Sequence, residues 1–250
     1  MYEVLSNPAN LFIAIAGAFF VGLSKGGLPG AGALTVWLYA HIFGAKQSVA
    51  ILLPLLICAD LYAFIIYRRY TNWTLFKQLA PALVMGAVLG AVLFSWISEQ
   101  LFTRLIGLII LMVVALRLAP KRQGREGKGN QLQEHFIVAQ AFSFFSGLIN
   151  MLSNAGSPLM AYYLIGKNLG KFNFLGTYVA LITVSNLASL PLHLTIHSVG
   201  MSDLPYSFGL GVLTIFGVLA ARWVVGIIPQ RQYEYFILAV VALAGIELLI

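Results

Sequence analysis

Of the 250 residues, 60% are hydrophobic and only 9% charged, against about a quarter charged in an ordinary soluble domain. A soluble fold cannot hide that much apolar surface, whereas a bilayer tolerates it. The formal charge of +7 does not mark a nucleic-acid binder, because the basic residues fall in short gaps between apolar runs, as cytoplasmic loops of membrane proteins do. The expected class is an all-α, polytopic integral membrane protein in a lipid bilayer. Cys58 stands alone in an apolar run, which excludes a disulfide framework and a thiolate metal site.

The first apolar stretch, roughly 9–43, has no basic n-region or cleavage site before it and reads as mature chain. It is too long for one span and short for two, and Ser24-Lys25-Gly26-Gly27-Leu28-Pro29-Gly30-Ala31-Gly32 breaks it in the middle. Spans follow at roughly 47–67, 78–97 and 101–119. Residues 120–134, basic and rich in Gly and Gln, read as a cytoplasmic linker between a first transmembrane repeat (1–119) and a second (135–250). The second repeat opens with another broken stretch, roughly 135–166, interrupted by Asn150-Met151-Leu152-Ser153-Asn154-Ala155-Gly156-Ser157-Pro158. Spans at roughly 173–195, 204–221 and 231–250 complete it.

The halves resemble copies. Phe19-Phe20-x-Gly22-Leu23 recurs 125 residues on as Phe144-Phe145-x-Gly147-Leu148. Gly44 and Asp60 match Gly170 and Asn186 at 126, and Gly90, Trp96 and Arg104 match Gly217, Trp223 and Arg231 at 127. If each broken stretch is a re-entrant hairpin, twelve basic residues collect on one side (Arg68, Arg69, Lys77, Arg117, Lys121, Arg122, Arg125, Lys128, Lys167, Lys171, Arg222, Arg231) and only Lys46 and Arg104 on the other. If each crosses once, the charges divide poorly. The positive-inside bias favours hairpins. Each half then holds a hairpin plus three spans, the repeats are inverted, and both termini lie outside the cytoplasm.

Irregular backbone at membrane depth survives only inside protein or beside a wet cavity. Two breaks at matching positions of two repeats therefore point to a transporter site. Pro29 and Pro158 can begin the second arm of each hairpin, whose first-turn amides carry the positive end of the helix dipole and suit an anion. Gly26, Gly27 and Gly30 let backbone approach a ligand, Ser24, Asn150, Ser153, Asn154 and Ser157 supply neutral polar groups, and Lys25 adds a positive charge; the alternative for Lys25 is snorkelling to an interface. Gly22, Gly26 and Gly30, spaced like Gly86 and Gly90, could instead mark tight helix packing; that reading is adopted for Gly86 and Gly90 and not for the first break.

Asp60 is the one acidic residue deep in a span, and either takes up a coupling proton or serves as countercharge to Lys25. Asn186 is its neutral counterpart. His193-x-x-x-His197 with Asp203 has metal-like spacing, but lies at a helix end without a third ligand one turn away, so interfacial histidines are expected and no metal. No nucleotide-binding loop and no H-E-x-x-H or G-x-S-x-G motif is present, so no cofactor and no enzyme activity are expected.

The segments Gly22-Leu-Ser-Lys-Gly-Gly-Leu-Pro-Gly-Ala-Gly32 and Ser146-Gly-Leu-Ile-Asn-Met-Leu-Ser-Asn-Ala-Gly-Ser-Pro158 are similar to those of the TauE/SafE family of membrane permeases, and size and duplicated organisation agree over the whole chain. The second segment departs from the family pattern at Ser157, where a Gly is expected before the Pro. The resemblance implies a secondary transporter of a small anion, sulfite, a sulfonate or a related organosulfur species, in a bacterial inner membrane. An anion channel with the same site, and a membrane-embedded enzyme using His193, His197 and Asp203, are the alternatives. The partners implied are the anion, a possible coupling proton and a possible homodimer.

Overall fold

The computed structural model describes residues 6–28, 35, 38, 39, 42, 43, 45–94, 136–154, 156–195, 204–229, 231–233, 235 and 239. The expected span 101–119, nearly all of 231–250, the linker 120–134, and Pro29, Gly30, His197 and Asp203 lie outside the described residues. Within them the chain is helical without strands: α1 (Pro8–Lys25), α2 (Ala45–Tyr67), α3 (Trp73–Phe94), α4 (Phe136–Ser153), α5 (Ser157–Ile165), α6 (Lys171–Thr195) and α7 (Leu204–Ile227), with a 3-10 turn Arg68–Tyr70 closing α2. Among the described residues, five helices are long and apolar enough to cross a membrane. Large apolar side chains such as Phe12, Met85, Ile137, Phe216 and Trp223 face outward, as a hydrocarbon surround requires.

Both expected breaks are present. The first helix stops at Lys25, and Gly27 adopts φ +122°, open to Gly at little cost. The second break separates α4 from α5, which carries a proline in its first turn as the sequence predicts. Two boundaries differ from expectation. The third helix starts at Trp73 rather than near 78, and α7 runs to Ile227 rather than 221. Lys77 and Arg222 had marked those ends, but both are exposed within their helices. A long basic side chain can stay at the interface while its helix continues.

Contacts fix the helix directions. Ser143 and Gln140 of α4 donate to the carbonyls of Leu79 and Gln78 (2.6 and 2.9 Å), and further along Gly90 nears Leu148 and Met151, so α3 and α4 run in parallel. The first helix and α7 likewise run together, Gly22 against Thr214 and Gly26 against Val218 and Ala221. By contrast α2 and α6 are antiparallel: Asp60 meets Asn186, and past the end of α2 Thr71 donates to Gly176 O near the start of α6 (3.1 Å). Lys171, opening α6, donates to the carbonyls of Val225 and Ile228 (2.6 and 2.7 Å), closing the end of α7. Chain also folds back along each broken helix. Thr35 and Tyr39 donate to Gly17 O and Ala14 O (3.1 and 2.9 Å). In α5, Tyr162 and Tyr163 lie against Phe142, while Ser146 of α4 donates to Gly156 O (2.7 Å).

Two glycine seams hold the parallel pairs. A Cβ on Gly86 would strike the Phe144 carbonyl, and one on Gly147 the Leu83 carbonyl. A Cβ on Gly22 would strike Thr214 O, and one on Gly217 Phe19 O. Close backbone approach through small residues is how helices associate where lipid is as apolar as leucine. The packing reading of Gly86 and Gly90 is therefore borne out. The expectation that packing does not apply at the first break is corrected for Gly22 and Gly26: Gly22 lies within α1, Gly26 is the residue that caps its end, and both face α7 across the seam.

Candidate functional site

The breaks bring α1 and α4 to an end beside the middles of α2 and α6, and the polar residues there meet. The Lys25 ammonium lies 2.9 Å from one Asp60 carboxylate oxygen and 3.2 Å from the other. Asn186 donates its amide to Asp60 in a short hydrogen bond, and Asn150 donates to Asn186 Oδ1 at 2.7 Å and to Ser185 Oγ at 3.0 Å. Lys25, Asp60, Asn186, Asn150 and Ser185 thus form one connected chain across four helices, with relative exposures of 6, 1, 0, 2 and 0%. Every amide in it donates toward the carboxylate, so the charge on Asp60 sets the polarity of the whole network.

Such a cluster is costly at this depth. Taking either ion out of water costs several kcal/mol, recovered only if the remaining donors and acceptors are satisfied. The geometry meets that condition only in part: Lys25 and Asn186 both donate to Asp60 Oδ2, while Oδ1 has the Lys25 ion contact at 2.9 Å and no hydrogen bond. Snorkelling is excluded for Lys25, since its ammonium points to a fully buried carboxylate rather than to the surface.

The carbonyls that end each broken helix are also held. Tyr67 donates to Gly26 O (2.9 Å) and Tyr233 to Gly27 O (2.8 Å). At the other break, His193 hydrogen-bonds the backbone of Met151, and its buried ring stands edge-on to Phe94 at 5.8 Å. His193 thus lies in the last turn of α6, at a helix end as expected, with its ring packed inside the protein rather than exposed. His197 and Asp203 lie outside the described residues, and among those described no group of His, Cys, Asp and Glu could hold a metal.

Of the remaining expected residues, Ser24 is buried in the last turn of α1. The Cα hydrogen of Gly26 faces Ala221 and Val218, and that of Gly27 Val225 and Leu175, so their close approach is to helices. Ser153 ends α4. Asn154 takes a left-handed φ of 55°, and its amide bonds Asn150 O at 2.9 Å. Ser157 opens α5 and bonds the Tyr178 side chain. Ser185, Tyr67, Tyr178 and Tyr233 were missed from the sequence. The repeat offset held a usable signal: counting 125 from Lys25 gives Asn150, and 126 from Tyr67 gives His193.

A search of curated proteins and of solved structures finds no match. The family model described as Sulfite exporter TauE/SafE matches residues 14–248. That match includes both breaks and all five residues of the buried network, and the chain belongs to the TauE/SafE family of membrane permeases.

Proposed function

We propose that this permease carries a small sulfur oxyanion, sulfite or an organic sulfonate, bound between the tips of its two broken helices. The observation that carries this reading is Lys25: a buried cation at the tip of α1, joined through Asp60 and Asn186 to Asn150 near the tip of α4. Buried ionisable groups in membrane helices are retained for function by default. The α5 N-terminus adds the positive end of a helix dipole beside the second tip. Ser24, Gly27, Gly30, Ser153, Asn154 and Ser157 border the same breaks and would complete the anion's surroundings as the tips separate.

Matched contacts support two inverted repeats. Lys25 with Asp60 corresponds to Asn150 with Asn186, and Tyr67 on Gly26 to His193 on Met151. The seams correspond too, with Gly147 on Leu83 answering Gly22 on Thr214. Between α3 and α7 the contacts match at 131 residues (Leu83 to Thr214) rather than 127, one helical turn from the sequence register. The counterpart helices α2 and α6 run in opposite directions, which inverted repeats require, and the fold-back along α1 and α4 suits re-entrant hairpins. Movement of one repeat against the other would expose the site to each side in turn. Reporter fusions at Ile250 and near Gly127 are expected to give an external C-terminus and a cytoplasmic linker.

Counterflow of labelled sulfite in proteoliposomes tests the transport reading. Accumulation against a preloaded unlabelled pool is expected of a carrier, while flux that never saturates would show a channel.

A further inference from the structure

We propose that Asp60 is a built-in competitor for the anion site, so that the anion binds Lys25 only together with one proton, which neutralises Asp60. This deepens the permease reading above and rests on it. The geometry sets the conflict. Both carboxylate oxygens of Asp60 lie within 3.2 Å of the Lys25 ammonium, the position a sulfur oxyanion would take. Lys25 and Asp60 are both buried, so neither can turn to water to make room.

An anion displacing an ionised Asp60 would strand a buried, unpaired carboxylate and bring a second negative charge beside it. Burial makes the first costly, and a low local dielectric makes the second costly. A proton from solution removes both penalties. Neutral Asp60 keeps an oxygen to accept from Asn186 and gains a hydroxyl donor, so it stays within the network. Charge balance is kept: one proton arrives with one monovalent anion, and the empty carrier returns with Lys25 and Asp60 paired.

Among the described residues, the charged and titratable groups facing Asp60 are few. The first helix presents Lys25, and α6 presents Tyr178 beside the neutral Asn186. Where α7 meets α2 it brings Gly211 against Cys58, two residues before Asp60, and Arg222 interacts with Tyr67 two turns on. Asn150 of α4 reaches Asp60 only through Asn186. Lys25 is thus the sole cation in contact with the carboxylate within this set.

The second repeat carries the control. Asn150 and Asn186 take the corresponding places without charge, so no carboxylate competes there and the coupling resides in the first repeat.

The test measures binding of methanesulfonate, whose charge is constant between pH 5 and 9, to purified full-length protein. Where the empty protein carries Asp60 ionised, affinity is expected to fall about tenfold per pH unit. In Asp60→Asn that dependence is expected to vanish. A second reading leaves the site intact: the chain has two aspartates, Asp60 and Asp203, so aspartate labelled with heavy carbon in an Asp203→Asn background isolates Asp60. Adding methanesulfonate at pH 7.5 is expected to raise the infrared band of a protonated Asp60 carboxyl. Binding with no such band, or the same pH dependence in Asp60→Asn, overturns the coupling and leaves the permease standing. Failure of the wild type to bind methanesulfonate or sulfite anywhere between pH 5 and 9 overturns the anion site itself, and the coupling with it.

Discussion

The tips of the two broken helices share a geometry and differ in chemistry. At the first, Lys25 reaches a carboxylate in the middle of α2; at the second, Asn150 reaches an amide in the middle of α6. Each tip also has a terminal carbonyl or backbone group held from the end of that same helix, by Tyr67 in one case and His193 in the other. One position thus serves as a charged site and the other as a neutral one. A scaffold that satisfies backbone at membrane depth is needed twice. A buried ion pair, which costs far more, is needed only where charge does something.

The largest effects should come where the two tips are alike. Leucine at Gly22 or at Gly147 cannot fit against the facing backbone carbonyl. Either variant is expected to lose the folded protein, read as absence of a monodisperse peak in detergent. Folded, active protein from one but not the other would show that the seams are not equivalent.

Next comes the charge that separates the tips. Lys25→Ala strands Asp60 in the interior and should cost about 3–5 kcal/mol of stability, since breaking one side of a buried pair leaves an uncompensated ion. Asn150→Ala removes only neutral hydrogen bonds and should cost about 1–3 kcal/mol. Thermal denaturation in one detergent compares them. Equal losses would remove the distinction between a charged and a neutral tip.

The smallest effect tests the holders. Tyr67→Phe deletes the hydroxyl on Gly26 O and keeps the ring, so about 1 kcal/mol is expected. His193→Phe likewise removes the hydrogen bond to the Met151 backbone and keeps a ring against Phe94, so a loss of similar size is expected. Transport should slow in both rather than stop, since neither residue touches Lys25 in the described contacts.

Much of the architecture was legible because membrane solvation writes it into composition. Apolar runs of helical length gave α2 and α6 within about two residues, and the two breaks appeared as Gly, Pro and polar clusters. Charges misled at Lys77 and Arg222, since a long side chain can reach the interface from inside a helix. The Lys25–Asp60 pair stood in the sequence as one of two equal readings, because helical period places a residue on a face but not beside a partner 35 positions away. Gly22 and Gly26 were legible as a packing motif and were set aside because the nearby Pro and Lys suggested a broken helix. The helix in fact continues to Lys25, so both readings hold on adjacent residues. Ser185 gave no signal of its own; only the fold brings it to Asn150.

The central claim is that Lys25 supplies the anion's charge partner. The most direct measurement is equilibrium binding of labelled sulfite to the Lys25→Ala/Asp60→Asn double variant, in which removal of both charges together avoids a stranded ion. With folding verified by thermal denaturation, binding is expected to weaken at least a hundredfold relative to wild type, about 2.7 kcal/mol. Wild-type affinity in that folded variant would contradict the account and move the anion site away from the tip of α1.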